Sequence, residues 1–154
     1  MKKVNKSGYL AGPMEHAADE GLQWRRTFDR VLKKKFGIKC IIPNDEEKKI
    51  KKKVSMREAK KTDLPKYIRI MREFIRQDLE FIENVDMLIT KWDGEMSAGT
   101  MGEATYAYKI GKPNYLVTSK KPVDIPGWFL ACFTEIFSSL DELVAYFEDH
   151  LEEE

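Results

Sequence analysis

The amino-acid sequence predicts a single α/β domain, in which a parallel sheet of about five strands is flanked by helices. Short apolar runs alternate along the chain with longer segments whose apolar residues recur every three or four positions, as in amphipathic helices. The length, 154 residues, suits one hydrophobic core, and the sequence contains neither an internal repeat nor a domain boundary. We therefore treat residues 1–154 as one domain.

The first three elements are predicted from apolar runs and the residues that end them. Residues 9–11 form an apolar run that ends at Gly12 and Pro13, which is typical of a strand followed by a turn. Residues 20–35 carry apolar side chains at helical spacing, and Gly37 is a natural end for that helix. The apolar run 38–42, closed by a proline, predicts the second strand.

The longest helix is expected at residues 65–84, with a proline in its first turn. Its apolar stripe consists of Tyr67, Met71, Phe74, Ile75 and Ile82. A third strand follows at residues 85–92.

The last third of the chain repeats the alternation. A helix is predicted at residues 100–110 because Gly111 suits its C-terminal end, and a fourth strand follows at 115–118. Residues 135–137 predict a fifth strand, and Ser139 is a favourable N-cap for a last helix. Strands that alternate with helices form right-handed units around a parallel sheet.

The charges nearly cancel, but they are unevenly distributed. The net charge is +1, from 27 basic and 26 acidic residues, which predicts no general attraction to a nucleic acid polymer. Residues 45–63 are nevertheless strongly basic, and we interpret them as an insertion over the sheet edge. This segment is either a solvated helix face or mobile loop, or a patch that attracts anionic substrates.

The sequence predicts a cytoplasmic protein with no membrane partner. No apolar run approaches the roughly 18 residues of a membrane span, and the polar N-terminus is a poor signal peptide. Cys40 and Cys132 lie in apolar contexts, so we expect buried free thiols rather than a disulfide.

Two loops are expected at the ligand-binding edge of the sheet. Ligands of parallel sheets bind beyond the carboxyl ends of the strands. The loops that follow the first and third predicted strands, residues 12–21 and 92–103, lie at that edge. Gly12, Pro13 and Asp93 are therefore candidate substrate-binding residues.

The segment from Ser97 to Glu103 leads from the third strand into a helix. Its glycines, Gly99 among them, allow a close approach of the backbone to a ligand, and the amides of a helix N-terminus suit an anion or a sugar oxygen. Glu103 would lie in the first turn as a candidate catalytic carboxylate. Alternatively, Thr100 and Glu103 form a capping box, in which Glu103 only satisfies backbone N–H groups.

Asp78 is the second candidate acid. Helical spacing places it on the same face as Phe74 and Ile82, whereas Gln77 and Glu80 fall outside that face. A carboxyl group on an apolar face has a raised pKa and can serve as a general acid. The alternative is an aspartate that binds a neighbouring loop. Two acids on separate elements at one edge suit N-glycoside cleavage, in which one attacks the anomeric carbon and the other protonates the base.

Other chemistry has little support in the sequence. His16 and His150 are too far apart along the chain to indicate a metal site, and no metal-binding, Walker or dinucleotide motif occurs. We therefore expect neither a metal nor an organic cofactor. Trp24, Trp92 and Trp128 could stack on a base or simply belong to the core.

An ordered set of motifs resembles the nucleoside 2-deoxyribosyltransferase family. The resemblance covers roughly residues 7–118. Its motifs are YLAGP at 9–13, QDL at 77–79, NVDMLIT at 84–90, SAGTMGEATYA at 97–107 and GKP at 111–113. It implies a flavodoxin-like or Rossmann-like fold and a small-molecule nucleoside or nucleotide substrate. It also implies a homodimer or higher homo-oligomer with sites completed by a neighbouring subunit.

The resemblance also implies roles for individual residues. Glu103 takes the place of the nucleophile, Asp78 of the acid that handles the base, and Tyr9 of the tyrosine that orients the nucleophile. Ser97 departs from the transferases, which usually carry an aspartate there, and is similar to the serine with which the related 2′-deoxynucleoside 5′-monophosphate N-glycosidases bind phosphate. Gly99 and Thr100 belong to the same substrate-binding segment.

Three functions are consistent with these residues. The first is transfer of deoxyribose between bases through a glycosyl-Glu103 intermediate. The second is hydrolysis of a deoxynucleoside 5′-monophosphate by the same chemistry. The third is a non-catalytic nucleotide sensor.

Overall fold

The structure is a computed structural model that describes residues 3–15, 17–50 and 55–152. The strands of its sheet are β1 (Ser7–Ala11), β2 (Lys39–Ile41), β3 (Met87–Lys91), β4 (Asn114–Val117) and β5 (Glu135–Phe137). The helices are α1 (Leu22–Phe36), α2 (Pro43–Ile50), α3 (Met56–Thr62), α4 (Leu64–Asn84), α5 (Ala98–Lys109), α6 (Gly127–Ala131) and α7 (Leu140–His150). A short 3₁₀ turn occupies Pro122–Asp124.

The five strands are all parallel and lie in the order β2-β1-β3-β4-β5. This is the strand order of flavodoxin-like folds. The predicted fold class is therefore confirmed, including the number of strands and their direction.

Each face of the sheet packs on its own helices because successive strand residues point to opposite sides. Leu10, Ile89 and Val117 face α1 and α7, which contribute Phe28, Leu32, Phe36, Leu143 and Phe147 to one core cluster. Tyr9, Ala11 and Leu88 face α4 and α5 on the other side. Tyr9 is thus held inside the sheet with its ring directed toward the helices that carry the candidate acids.

Glycines end two helices by adopting the left-handed conformation. Gly37 follows α1 with φ of 72°, and its N–H donates to the carbonyls of Leu32 and Lys33. Gly111 follows α5 with φ of 72°, and the N–H of Lys112 donates to the Ala107 carbonyl. These bonds satisfy carbonyls that the last turn would otherwise leave without donors. Both predicted helix ends are confirmed.

Three sequence predictions need correction. Ile75 was expected on the buried stripe of α4, but its side chain is 53% exposed, because the buried face runs through Phe74 and Ile82. Gln77 was expected outside that face, yet its amide oxygen is buried. Helix α5 begins two residues earlier than the predicted start at residue 100.

The basic segment at residues 45–63 contains most of α2 and all of α3, while residues 51–54 lie outside the described residues. Its interpretation as an insertion, and as part of one domain spanning residues 1–154, stays a prediction. Cys40 and Cys132 are free thiols, as predicted, but only Cys132 is buried, because Cys40 lies on the edge strand β2 and is half-buried. Across the three described ranges, none of the helices has the length and apolar character that would carry it through a membrane.

Candidate active site

The candidate site lies where the order of the sheet reverses. The chain runs from β1 outward to β2 on one side, and then returns to β3 and β4 on the other side. Connections that leave neighbouring strands in opposite directions open a crevice at the carboxyl ends of those strands. The loops after β1 and β3 flank this crevice, as the sequence predicted.

Three side chains from three elements converge beneath this edge. Tyr9 comes from β1, Asp78 from α4 and Glu103 from α5. Burial, followed by the charges of Glu103 and Asp78, raises the pKa of Tyr9 well above its ordinary value. The Tyr9 hydroxyl in turn acts to lower the pKa of both carboxyl groups. The structure therefore brings together the three residues that the sequence singled out.

The polar atoms of this group are buried without conventional partners. The Tyr9 side chain is completely buried, while those of Asp78 and Glu103 are half-buried. The Tyr9 hydroxyl, Asp78 Oδ1 and Glu103 Oε2 are inaccessible to solvent, and no described residue forms a hydrogen bond of standard geometry with them. Buried polar atoms normally have partners, and the Tyr9 hydroxyl lies close enough to both carboxyl groups to lower their pKa values.

Burial raises the proton affinity of both carboxyl groups. Burial, followed by the charges of Glu103 and Glu47, raises the pKa of Asp78 to about 8. Burial also raises the pKa of Glu103, to about 7, while Tyr9 and Arg25 oppose this increase. Both carboxyl groups therefore hold a proton more readily than exposed carboxyl groups do. A coupled pair of buried carboxyl groups suits a reaction in which one acid donates a proton and one carboxylate attacks.

Ser97, not Thr100, is the N-cap of α5. The Ser97 hydroxyl accepts a hydrogen bond from the Thr100 N–H at 3.3 Å and lies 2.6 Å from the Thr100 hydroxyl oxygen. Glu103 therefore lies in the second turn of α5, and the predicted capping box between Thr100 and Glu103 does not form. The placement of Glu103 in the first turn was wrong, and capping does not explain this buried carboxyl group.

The start of α5 offers open space to a ligand. Gly99 is exposed, and a Cβ atom on Gly99 or Gly102 would meet nothing within 4 Å. The Thr100 side chain, in contrast, is only 2% exposed. The N-terminal amides of α5 can therefore be approached from solvent on the glycine side of the helix.

The first loop of the site is held by tight backbone contacts. Gly12 and Pro13 are buried after β1, and a Cβ atom on Gly12 would lie 2.7 Å from both the Lys91 carbonyl oxygen and the Trp24 ring. Only glycine fits there. The Gly12 carbonyl accepts a hydrogen bond from Arg25 at 2.8 Å.

Asp93 connects the loops after β3 and β4. Its carboxylate accepts a hydrogen bond from the Ser119 N–H at 2.8 Å and forms an ion pair with Lys91. Burial acts to raise the pKa of Asp93, but the bonds from Lys91 and Ser119 hold it below its ordinary value. A substrate hydroxyl that binds Asp93 would share its carboxylate with Lys91 and the Ser119 N–H, which already hold it in place.

The sequence did not identify two charged residues that act on the candidate site. Arg25 on α1 is completely buried, and Glu47 on α2 raises the pKa of both candidate acids. Arg25 lies on the stripe of Leu22, Phe28 and Leu32, so helical spacing could have identified it as a buried charge. Glu47 had no such signal, because it lies within a basic segment whose path over the sheet cannot be read from spacing.

The tryptophans have different environments. Trp92 is 4% exposed and packs edge-on against Phe129, and its indole N–H donates to the Glu95 carbonyl. Trp24 lines a shallow surface cleft of about 400 Å³ beside α1. Trp128 is 75% exposed, and its indole N–H donates to the Thr105 hydroxyl at 3.0 Å. Within residues 3–15, 17–50 and 55–152, no cluster of three or more His, Cys, Asp or Glu side chains could hold a metal ion.

Comparisons with known proteins show the family and the fold of the chain. A sequence profile of the family described as nucleoside 2-deoxyribosyltransferase matches residues 9–135, a range that begins at Tyr9 and includes Asp78 and Glu103. A solved structure of a 2-deoxyribosyltransferase from the psychrotolerant bacterium Bacillus psychrosaccharolyticus superposes with a TM-score of 0.71. The two chains share 19% identity, and the match covers 96% of this chain and 97% of the other. Curated protein sequences yielded no significant match.

Proposed function

The chain belongs to the nucleoside 2-deoxyribosyltransferase family, and we propose that it cleaves the N-glycosidic bond of 2′-deoxyribonucleosides or their 5′-monophosphates and transfers the deoxyribose to another base. The observation that carries this proposal is the pair of carboxyl groups, Asp78 and Glu103, whose pKa values are both raised by burial beside the buried Tyr9 hydroxyl.

The first step forms a covalent intermediate. A Glu103 carboxylate oxygen attacks C1′ of the sugar while the bond between C1′ and the base nitrogen breaks. Asp78 donates its proton to the departing base, which leaves neutral, and Asp78 becomes a carboxylate. The sugar is then held as an ester of Glu103. A deoxyribose ring favours this step because the absence of a 2′-hydroxyl stabilises the oxocarbenium-like transition state.

The second step reverses the first with a different nucleophile. A nitrogen of an incoming base attacks C1′, its proton passes to the Asp78 carboxylate, and Glu103 is released. In hydrolysis, water replaces the base as the attacking group. Both displacements invert C1′, so the product keeps the configuration of the substrate.

Tyr9 is proposed to orient the nucleophile. Tyr9 lies in β1 with its side chain completely buried, and its hydroxyl acts to lower the pKa of Glu103. A hydroxyl in this position can donate a hydrogen bond to one Glu103 oxygen and leave the other directed at C1′. Because burial and the two carboxyl groups raise the pKa of Tyr9 well above its ordinary value, this donor keeps its proton throughout turnover.

The alternative activity is hydrolysis of deoxynucleoside 5′-monophosphates, and Ser97 favours it. When the Thr100 N–H and hydroxyl both donate to Ser97 Oγ, the Ser97 hydroxyl proton is left to donate to a phosphate oxygen. An aspartate at this position would repel the phosphate. The open start of α5 adds amides that attract an anion.

Kinetics of the Ser97→Ala variant on a deoxynucleoside and its 5′-monophosphate test the choice of substrate. A charge-assisted hydrogen bond contributes roughly 1.5–3 kcal/mol, so the variant should lose about ten- to a hundredfold in kcat/KM on the monophosphate only. Ser139→Ala is the matched control, because Ser139 caps α7 in the same way, with its hydroxyl accepting from the Glu142 N–H. Equal losses on both substrates would contradict phosphate recognition by Ser97.

The type of reaction is tested by supplying or withholding an acceptor base. Product that carries the second base indicates transfer, and free deoxyribose or its phosphate without an acceptor indicates hydrolysis. Binding of nucleotides without turnover would indicate a sensor and would refute both enzymatic proposals. Mass spectrometry after exposure to a slow fluorinated deoxynucleoside should detect a sugar adduct on Glu103.

We also propose that the protein is a homodimer or larger. Phe129 within α6 is core, but Trp128 beside it is exposed, as is Val123 in the preceding turn, where 86% of the side chain is accessible. An exposed tryptophan next to an exposed valine is a suitable subunit contact. Light scattering that finds a fully active monomer would refute this proposal.

A further inference from the structure

Arg25 connects α1 to the carboxyl end of strand β1. Its side chain is completely buried. The guanidinium group donates to the carbonyls of Leu10 at 3.0 Å, Gly12 at 2.8 Å and Gly21 at 3.0 Å, with a longer bond to Glu20 at 3.4 Å. Leu10 follows Tyr9 directly in β1. The charge is therefore fixed at the carboxyl end of the strand that carries Tyr9.

The acceptors of these hydrogen bonds are neutral. Carbonyl oxygens satisfy the N–H donors of Arg25, but they do not cancel its positive charge. A buried cation is costly unless anions lie nearby. Burial lowers the pKa of Arg25, while Tyr9, Glu103, Glu47 and Asp78 each act to raise it. Among these groups Glu103 is the candidate catalytic carboxyl group that ionises near neutral pH, so its charge can offset that of Arg25.

We propose that Arg25 is a positioning residue with two effects. Its buried charge favours the ionised form of Glu103 that is needed for attack, and its hydrogen bonds fix the end of β1 next to Tyr9. This inference rests on the proposed function for its mechanistic meaning. Three groups on different elements act on the pKa of Glu103, namely Tyr9 on β1, Arg25 on α1 and Glu47 on α2. Asp78 on α4 is coupled to Glu103 by charge as well. Arg25 carries the positive charge in this set, and its charge counteracts the effect of the neighbouring carboxyl groups on the pKa of Glu103.

Removal of the Arg25 charge should raise the pH at which Glu103 ionises. An opposite charge close to a carboxyl group lowers its pKa by about one to three units. With a pKa of about 7 in the native protein, a one-unit increase would reduce the ionised fraction of Glu103 near neutral pH about fivefold. The acidic limb of the kcat/KM profile should move up by the same amount.

The direct measurement is the carboxyl titration of Glu103 by carbon-13 NMR, with the resonance assigned by its loss in Glu103→Gln. The titration needs no substrate. It therefore still tests the role of Arg25 if the protein proves inactive and the proposed function fails. The variants are Arg25→Gln, which removes the charge, and Arg25→Lys, which keeps it. Arg26→Gln is the matched control, because Arg26 is the neighbouring arginine, exposed and paired with Asp45.

We expect the Glu103 midpoint to rise by about one pH unit or more in Arg25→Gln and to stay within a few tenths of a unit in Arg25→Lys and Arg26→Gln. If Arg25→Gln does not fold, citrulline at position 25 replaces it, because citrulline keeps the shape and most donors of arginine without its charge. Cys40 is a native junction for ligating a synthetic segment 1–39 that carries this residue. An unchanged midpoint in a folded chargeless protein, or an equal shift in Arg25→Lys, would overturn the proposal.

Discussion

Glu103→Gln should remove activity and make the protein more stable at alkaline pH. The native side chain has a solvent-inaccessible oxygen without a hydrogen-bond partner among the described residues, so its ionisation in the folded state is opposed by burial. Glutamine has nearly the same volume and shape but carries no charge. The substitution therefore removes the cost of a buried carboxylate without leaving a cavity.

The magnitude follows from the raised pKa of Glu103. Its value increases from 4.5 to about 7 on folding. Between these values the folded state holds a proton that the unfolded state has lost, so stability falls as pH rises through this range. A difference of roughly 2.5 units corresponds to about 3 kcal/mol. Because the side chain is half-buried, we expect about 2 kcal/mol after allowance for solvent screening.

The assay is urea unfolding at about pH 5 and about pH 8.5. The native protein and Glu103→Gln should have similar free energies of unfolding at the lower pH. At the higher pH the variant should be the more stable by about 2 kcal/mol. Glu80→Gln, at an exposed position on α4, is the control and should follow the native protein at both values. If Glu103→Gln and the native protein lost stability equally between the two pH values, the argument for a buried carboxylate would be refuted.

Three further predictions concern individual side chains. Asp78→Asn should slow cleavage of substrates whose base needs a proton and should have less effect on analogues with a good leaving group; equal losses in kcat would exclude the general-acid role. Native kcat/KM should follow a bell-shaped pH profile with limbs near 7 and 8, the pKa values of Glu103 and Asp78, and a flat profile across this range would contradict the assignment. Gly21→Ala should lower the free energy of unfolding by about 1–3 kcal/mol, because Gly21 has φ of 71° and a Cβ atom there would lie 2.6 Å from Arg25 Nη1; urea unfolding with unchanged stability would show that the turn relaxes.

Much of the fold could be predicted because local signals agreed with one another. Apolar runs, helical stripes and terminal glycines such as Gly37 and Gly111 all marked the same boundaries. The start of α5 was misplaced because Ser97 and Thr100 are both good N-cap residues, and spacing cannot decide between them. Ser97 is the cap in the structure, so Glu103 lies in the second turn of the helix rather than the first.

The candidate site was predicted only in the part that short motifs encode. Tyr9, Asp78 and Glu103 each lie within a motif of the resemblance, whereas Arg25 and Glu47 do not. Their relation to the site is electrostatic and depends on how α1 and α2 pass over the sheet. Such distances between separate elements are set by tertiary packing, which no periodicity in the sequence reports.

The pairing of β1 with β3 has a consequence for how the protein folds. Ser7 and Asp86 exchange hydrogen bonds at the start of this pairing although 79 positions separate them in the chain. Closing a loop of this length costs on the order of 4 kcal/mol in chain entropy, and such distant contacts slow folding. Tyr9 reaches the helices behind β3 only after this closure. During refolding, activity should therefore return with the slow phase that completes the sheet, later than the far-ultraviolet signal of the helices.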